Sequence, residues 1–275
     1  MEGVIESGGI EAAVRTFRAE GWLVVRALFG ADEVALFRET FMEQAASGPI
    51  EGLSDGHWRD CAPGDPLRTH PRMMHPHRHP DLPVGPLALG GMLDPRLECW
   101  LEALHGEPMV AAQSMFYFKP AGSRGQDLHQ DNYYLRVAPR TCCAMWLAID
   151  DADQGNGGLL VVPGTARLPI ACPTKADPAL YFTGDHVEVE TPPVPVDLRA
   201  GDVLFFNGSL VHGSSPNRSP DRWRRAFICH YVPRATATMS HWYECIGFDG
   251  LPVPFPDATG GGPCGDTGAS EKYWH

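Results

Sequence analysis

No stretch of the 275-residue chain is apolar for long enough to cross a bilayer. The opening, MEGVIESGGIEAA, is acidic and lacks the basic and apolar regions of a secretory leader. Basic residues are outnumbered, 22 Lys and Arg against 34 Asp and Glu, for a net charge of −12. That balance argues against a nucleic-acid partner, because phosphate binding needs clustered Lys and Arg. The eight cysteines form no Cys-x-x-Cys pair, so a zinc ribbon or a thioredoxin-type motif has no support. Several of them fall in the apolar runs TCCAMWLAI and AFICHYV, where free thiols behave as small hydrophobes. Neither an internal repeat nor a clean linker is visible, and nothing in the sequence speaks to oligomeric state. What is left is a folded chain with 43% hydrophobic and 20% charged residues, expected in a reducing cytoplasm and acting on a small molecule rather than on nucleic acid or a membrane.

The spacing of apolar residues predicts helices over 10–21 and 31–47, with a strand, WLVVRALF, between them at 22–29. Residues 48–95 are rich in Pro, Gly, His and Asp and show little periodicity; a stretch of that length reads as a functional loop region. A short helix is predicted at 95–106. From about 108 the character changes to short β-rich runs punctuated by turn residues: MVAAQSMFYFKP, LHQDNYYLRV, TCCAMWLAID, GLLVVPG, DHVEVET, GDVLFFNGSLVHG and RRAFICHYV. Many short strands in one unit mean a sandwich, jelly roll or barrel. The organisation expected is one domain, with a helical part over about 1–107, a β core over about 108–235 and an irregular Gly- and Pro-rich tail over about 236–275.

Within that β core, GQDLHQDNYYL (125–135) places His129 and Asp131 two apart. On a strand such a pair faces one side and offers one imidazole nitrogen and one carboxylate oxygen to a single point. A distant third ligand would complete the two-His-one-carboxylate set that leaves open positions on Fe(II). Taken alone, the pair reads better as a polar surface turn, since chance pairs are common among twelve histidines. His212, after the apolar run DVLFFNGSLV, supplies the candidate third ligand, although a turn cap is its bland alternative. Twelve residues later Arg224 offers a guanidinium for a bidentate carboxylate contact, and its neighbour Arg225 must point to the opposite face. RMMHPHRHP (72–80) alternates His75, His77 and His79 as a second metal site would, but its prolines and arginines favour a loop near the substrate mouth. The glycines of DQGNGGLLVVPG precede strands rather than a helix, so they form turns and not a phosphate loop.

The set His129-x-Asp131, His212 and Arg224 resembles the Fe(II)- and 2-oxoglutarate-dependent oxygenases of the phytanoyl-CoA dioxygenase-like family. QSMFYFKPAG, MWLAIDDADQGNGGLLVVPGTAR, RAGDVLFFNGSLVHGSSPNRS and the N-terminal GWLVVRALFGADEVALFRE are similar to family segments in family order, over most of residues 10–235. The resemblance implies a double-stranded β-helix, a cupin-like jelly roll with flanking N-terminal helices. It implies His129, Asp131 and His212 as iron ligands, and Arg224 with Ser214 on the far carboxylate of 2-oxoglutarate. It also places Trp146 and Gln113 along the cosubstrate pocket, although core packing explains Trp146 as well. One extra residue separates His212 from the arginine compared with the usual spacing, which leaves Arg222 and Arg225 as rivals to Arg224. The reaction implied is O2-dependent hydroxylation or oxidative cyclisation at an unactivated C–H bond, with release of succinate and CO2. Three alternatives are a halogenase, which Asp131 disfavours by filling the halide position, a non-redox cupin-like metalloenzyme, and a non-catalytic ligand-binding jelly roll. The polar loop segments DGHWRD, NYYLR and HWYE point to a polar metabolite of specialised biosynthesis as substrate, with the tail folding over it as a lid.

Overall fold

The computed structural model describes residues 4–5, 9–258 and 264. Strand β1 (Val4–Ile5) runs parallel to β2 (Trp22–Val25), with helix α1 (Gly9–Glu20) between them and α2 (Ala31–Ala46) following. The predicted strand over 22–29 is shorter than expected, because the chain turns at Ala27, whose φ is 48°, and its amide donates to Asp202 at 2.8 Å. The aperiodic stretch holds α3 (Pro66–Thr69), β3 (Met73–Met74) and α4 (Val84–Met92), none of which periodicity revealed. Helix α4 is rich in glycine for a steric reason: a Cβ on Gly91 would lie 2.5 Å from the Phe37 ring of α2. Next, α5 (Pro95–His105) starts at the Asp94 side chain, which accepts from the Arg96 amide, and stops at Gly106 in the left-handed region.

The β core follows as β4 (Met109–Tyr117), β5 (Gln126–His129), β6 (Cys143–Ala148) and β7 (Leu159–Val161). A small hairpin-like pair, β8 (Thr174–Lys175) with β9 (Asp185–His186), precedes β10 (Val194–Val196), β11 (Val203–Asn207), β12 (His212–Ser214) and β13 (Ala226–Pro233). One sheet has the order β1-β2-β11-β6-β13-β4-β3, the other β10-β7-β12-β5. Eight strands, β4–β7 and β10–β13, therefore distribute between two facing sheets whose core pairings are antiparallel. This is the double-stranded β-helix expected from the sequence. Strands 11, 6 and 13 read as unbroken apolar runs because both faces of the larger sheet are covered. On β11, Val203 and Phe205 face a core shared with Phe37, Phe41, Leu97 and Leu101 of the helices. Leu204 and Phe206 face the second sheet, alongside Trp146, Leu159 and Val161.

One reading of the β region needs correction. LHQDNYYLRV is not one strand: β5 ends at His129, and α6 (Asn132–Leu135) begins immediately after Asp131. The Asn132 side chain closes that turn, donating to the Val137 carbonyl and accepting from the Val137 amide, at 3.1 and 3.0 Å. Cysteines 172 and 264 are joined in a disulfide, a bond that a reducing cytoplasm does not favour. Cys61, Cys142, Cys143, Cys229 and Cys245 are buried free thiols. Of the tail, Met239, Tyr243 and Cys245 pack on Val110, Val137 and Val232, and Ile246 bridges to Ala111. Residues 259–263 and 265–275 of the tail, where a lid was expected, lie outside the described residues. No helix among the described residues is long and apolar enough to cross a membrane.

Candidate active site

Strand β12 lies between β5 and β7, and its register sets His212 directly opposite His129. Asp131, in helical backbone at the head of α6, swings its carboxylate back toward both imidazoles. One ligand atom from each of His129, Asp131 and His212 falls within 4.8 Å of the others, and all three residues are buried. His129 Nδ1 lies 2.7 Å from the Asp127 carbonyl and His212 Nδ1 3.1 Å from the Leu210 carbonyl. A carbonyl only accepts, so each Nδ1 carries the proton and each Nε2 presents a lone pair. Those two Nε2 atoms lie 3.5 and 3.6 Å from Asp131 Oδ1. Burial pushes the His212 imidazole down to about 4, which keeps it neutral near pH 7. Burial pushes the Asp131 carboxyl up, but the imidazoles of His212 and His230 outweigh it and hold it well below the usual carboxylate range. Two imidazoles whose Nδ1 atoms are held by backbone carbonyls and one carboxylate, converging on one point, form a donor set suited to a divalent transition metal. The Gln126 side-chain amide lies 3.1 Å from His129 Nε2, and a metal would take its place.

Farther along the same cavity stands a cationic end. Arg224 is 2% exposed; its Nε donates to the Gly157 carbonyl at 3.1 Å and its Nη2 lies 3.4 Å from Ser214 Oγ. Its Nη1 is buried with no hydrogen-bond partner, and its Cζ lies 5.5 Å from the Trp146 ring centre. Burial pushes the guanidinium down to about 10, still charged at neutral pH. Beside it, Lys119 is buried and donates to Ser214 Oγ at 2.8 Å, the Ser215 carbonyl at 2.7 Å and the Gly157 carbonyl at 3.2 Å. Burial, and then the neighbouring Arg224, push the amine well below its ordinary value; three acceptors nonetheless match the three N–H groups of the charged form. Among the described residues, neither cation has a carboxylate within ion-pair distance. Such a pair calls for an anion, because an uncompensated buried charge is costly.

The predicted residues distribute unevenly around this cavity, which encloses about 560 Å3, part of it open to solvent. His129, Asp131, His212, Ser214, Arg224, Trp146 and Gln113 all line it. Arg225 turns away and grips Asp150 through Nε and Nη2 at 2.8 and 2.7 Å, while Arg222 pairs with Asp153. The three alternating histidines do not converge. Residues 76–78 form a 3-10 turn, which sends His77 Nδ1 to Ser114 Oγ at 2.6 Å and His79 Nε2 toward the Gly52 carbonyl at 3.3 Å.

Several contributors were missed by sequence reasoning. His230 was hidden in the apolar run AFICHYV, yet its Nε2 stands 3.1 Å from Asp131 Oδ2. Lys119 and Gln126 gave only the signal of a polar residue beside a β run. Tyr117, in the cavity wall, accepts at 3.1 Å from Arg72 Nη1; Arg72 is fully buried and paired through Nε and Nη2 with Asp55.

Comparison with known proteins bears on this site. The family model for phytanoyl-CoA dioxygenase (PhyH) matches residues 17–226. A probable phytanoyl-CoA dioxygenase of Caenorhabditis elegans is 38% identical over 136 residues, which cover 45% of this chain and 43% of that protein. The chain spans about half the length of the curated relatives it matches. The epimerase SnoN, solved in complex with Fe3+, alpha ketoglutarate and nogalamycin RO, superposes with a TM-score of 0.65 at 21% identity, covering 83% of this chain and 85% of SnoN. EctD from S. alaskensis, solved with 2-oxoglutarate and 5-hydroxyectoine, gives 0.62 at 21% identity, with 84% and 78% covered. At these identities the structural likeness speaks to the fold.

Proposed function

The chain belongs to the phytanoyl-CoA dioxygenase family, and from that membership we propose that it is a non-haem Fe(II)- and 2-oxoglutarate-dependent oxygenase acting on a polar small molecule. The observation that carries the proposal is one cavity with complementary deficits at its two ends. At one end acceptors of His129, Asp131 and His212 converge on one point; at the other, among the described residues, no carboxylate pairs with Arg224 or Lys119. His129, Asp131 and His212 would hold the metal through Nε2, a carboxylate oxygen and Nε2. Arg224 Nη1 would take the far carboxylate of 2-oxoglutarate, with Ser214 Oγ beside it and Trp146 packed on the guanidinium. Bound Fe(II) with 2-oxoglutarate and O2 supplies the oxidising power for cleaving a C–H bond, with release of succinate and CO2.

The chain's own part is orientation and exclusion of water. Asp127 and Leu210 carbonyls fix the tautomers of the two imidazoles. Leu159, Phe206, Met115 and Ile228 form the apolar lining, which dries the reacting centre. Gln113, Tyr134 and His230 add polar groups to that lining, which supports a polar substrate of specialised metabolism over a long acyl chain. SnoN and EctD, solved with nogalamycin RO and with 5-hydroxyectoine, share the fold. We include a single domain and a cytoplasmic site of action in this reading, the latter against the disulfide. The presence of Asp131 weighs against a halogenase on this fold, and the unmatched cations weigh against a non-redox jelly roll.

The test is a screen of acyl-CoAs against polar metabolites with Fe(II), 2-oxoglutarate and air, following succinate and a substrate mass shift. Turnover confined to acyl-CoAs would sink the substrate class. No consumption of 2-oxoglutarate with any substrate would sink the reaction class.

A further inference from the structure

Ser214 Oγ receives N–H groups on every side. Lys119 Nζ donates to it at 2.8 Å, the Gln126 amide at 3.3 Å and Arg224 Nη2 at 3.4 Å. A hydroxyl has one proton of its own to give, and a ring of donors leaves that proton without a protein acceptor among the described residues. Lys119 makes the shortest of the three contacts. Its other two N–H groups go to the Ser215 and Gly157 carbonyls, so it has none left for a ligand. Its own carbonyl accepts from the Arg224 amide at 3.0 Å and from Asn217 Nδ2 at 2.9 Å. The strand end after β4, the turn before β7 and the end of β12 therefore meet on this one side chain.

We infer that Lys119 is a positioning residue for the cosubstrate: by occupying one lone pair of Ser214 Oγ while the Gln126 backbone amide takes the other, its ammonium makes that hydroxyl a donor aimed at the far carboxylate. This rests on the reading of Arg224 as the 2-oxoglutarate clamp and adds a residue to it. Lys119 touches no ligand. It turns an ambivalent hydroxyl into a directed one, and it fixes the Arg224 backbone alongside. A hydrogen bond to a charged group that depends on such direction contributes enough that losing it weakens binding by about tenfold or more.

The experiment is equilibrium binding, by calorimetry under nitrogen with Fe(II) bound, of 2-oxoglutarate and of pyruvate, which lacks the far carboxylate. Lys119→Met should bind 2-oxoglutarate about tenfold more weakly while its affinity for pyruvate stays within about twofold of the parent. The double variant Lys119→Met/Ser214→Ala should bind no more weakly than the weaker single variant, because both remove the same contact. Equal losses for both acids, or additive losses in the double variant, would overturn the role. Lys119→Arg keeps the charge but spreads its donors in a planar fork; binding at the parent level would show that charge alone suffices and would also overturn it. Should Lys119→Met not fold, Lys119→Arg and Ser214→Ala carry the same cycle. If the parent protein binds both acids equally, the clamp fails and this role falls with it, whereas additive losses in the Lys119 variants leave the clamp standing.

Discussion

The two ends of the cavity are built from the same strands yet are opposite in what they lack. Around Asp131 three imidazoles, those of His129, His212 and His230, come within 3.6 Å of a carboxylate, and the first two have Nδ1 held by backbone carbonyls. Around Arg224 and Lys119 two carbonyls and a hydroxyl converge, and among the described residues no carboxylate joins them. Either end alone would be a poor use of buried polar groups, since burial penalises an unmatched charge. Together they describe a ligand that is a chelator at one end and an anion at the other.

The sharpest way to break this contrast is Asp131→Ala. It removes the only carboxylate in the triad of His129, Asp131 and His212, so Fe(II) retention and turnover should fall to background while the circular dichroism spectrum is kept. Metal content after gel filtration checks it; a full complement of iron in the variant would refute the triad.

Next comes the wall between the ends. Asp55→Asn leaves the fully buried Arg72 without its ion partner, and breaking such a pair costs about 3–5 kcal/mol of stability. Burial pushes the Asp55 carboxyl up, but the Arg72 charge and the His57 hydrogen bond outweigh it and hold it well below the usual range. A depressed carboxyl contributes stability that is fully present above the unfolded value of about 3.9 and is lost as pH falls toward the lower folded value. The gap in melting temperature between parent and variant should thus be full at neutral pH and narrow below about pH 4. A gap independent of pH would contradict the assignment.

At the cationic end, Arg224→Ala should raise the KM for 2-oxoglutarate by the equivalent of about 2–5 kcal/mol, read from initial rates against cosubstrate concentration. The smallest effect belongs to Arg225→Ala. Its loss of the Asp150 contact should lower stability by about 1–3 kcal/mol and leave the KM for 2-oxoglutarate nearly unchanged. The reverse ranking of the two arginines would mean that the inward and outward faces have been exchanged.

How much of this was legible in the sequence follows from which interactions are local. Apolar runs at 109–117, 143–148, 203–207 and 226–233 announced the larger sheet, because both of its faces are buried. The pairing of His129 with Asp131 was read as strand alternation. It arises instead from a strand end followed by a helical turn, a geometry that Asn132 creates with Val137 and that periodicity does not encode. Helix α4 was invisible because two of its glycines are there for close approach, Gly91 to Phe37 and Gly85 to the His79 carbonyl. Lys119 and His230 left no signal because each acquires its meaning from partners far along the chain, 95 residues away at Ser214 in the first case. The histidines at 75, 77 and 79 alternate in sequence, but a 3-10 turn dissolves the alternation in space, in keeping with the loop that their prolines and arginines favoured.

Strand β12 carries a consequence of its own. It bears His212 and Ser214 on one face, with Gly213 between them so close to β5 that a Cβ there would lie 2.9 Å from the Gln126 carbonyl. Two residues of an extended strand advance about 6.5–7 Å, and nothing in that step can stretch. On the proposed reading β12 is a ruler: it fixes the separation between chelating head and anionic foot, so diacids one carbon shorter or longer than 2-oxoglutarate should fit worse than the five-carbon acid.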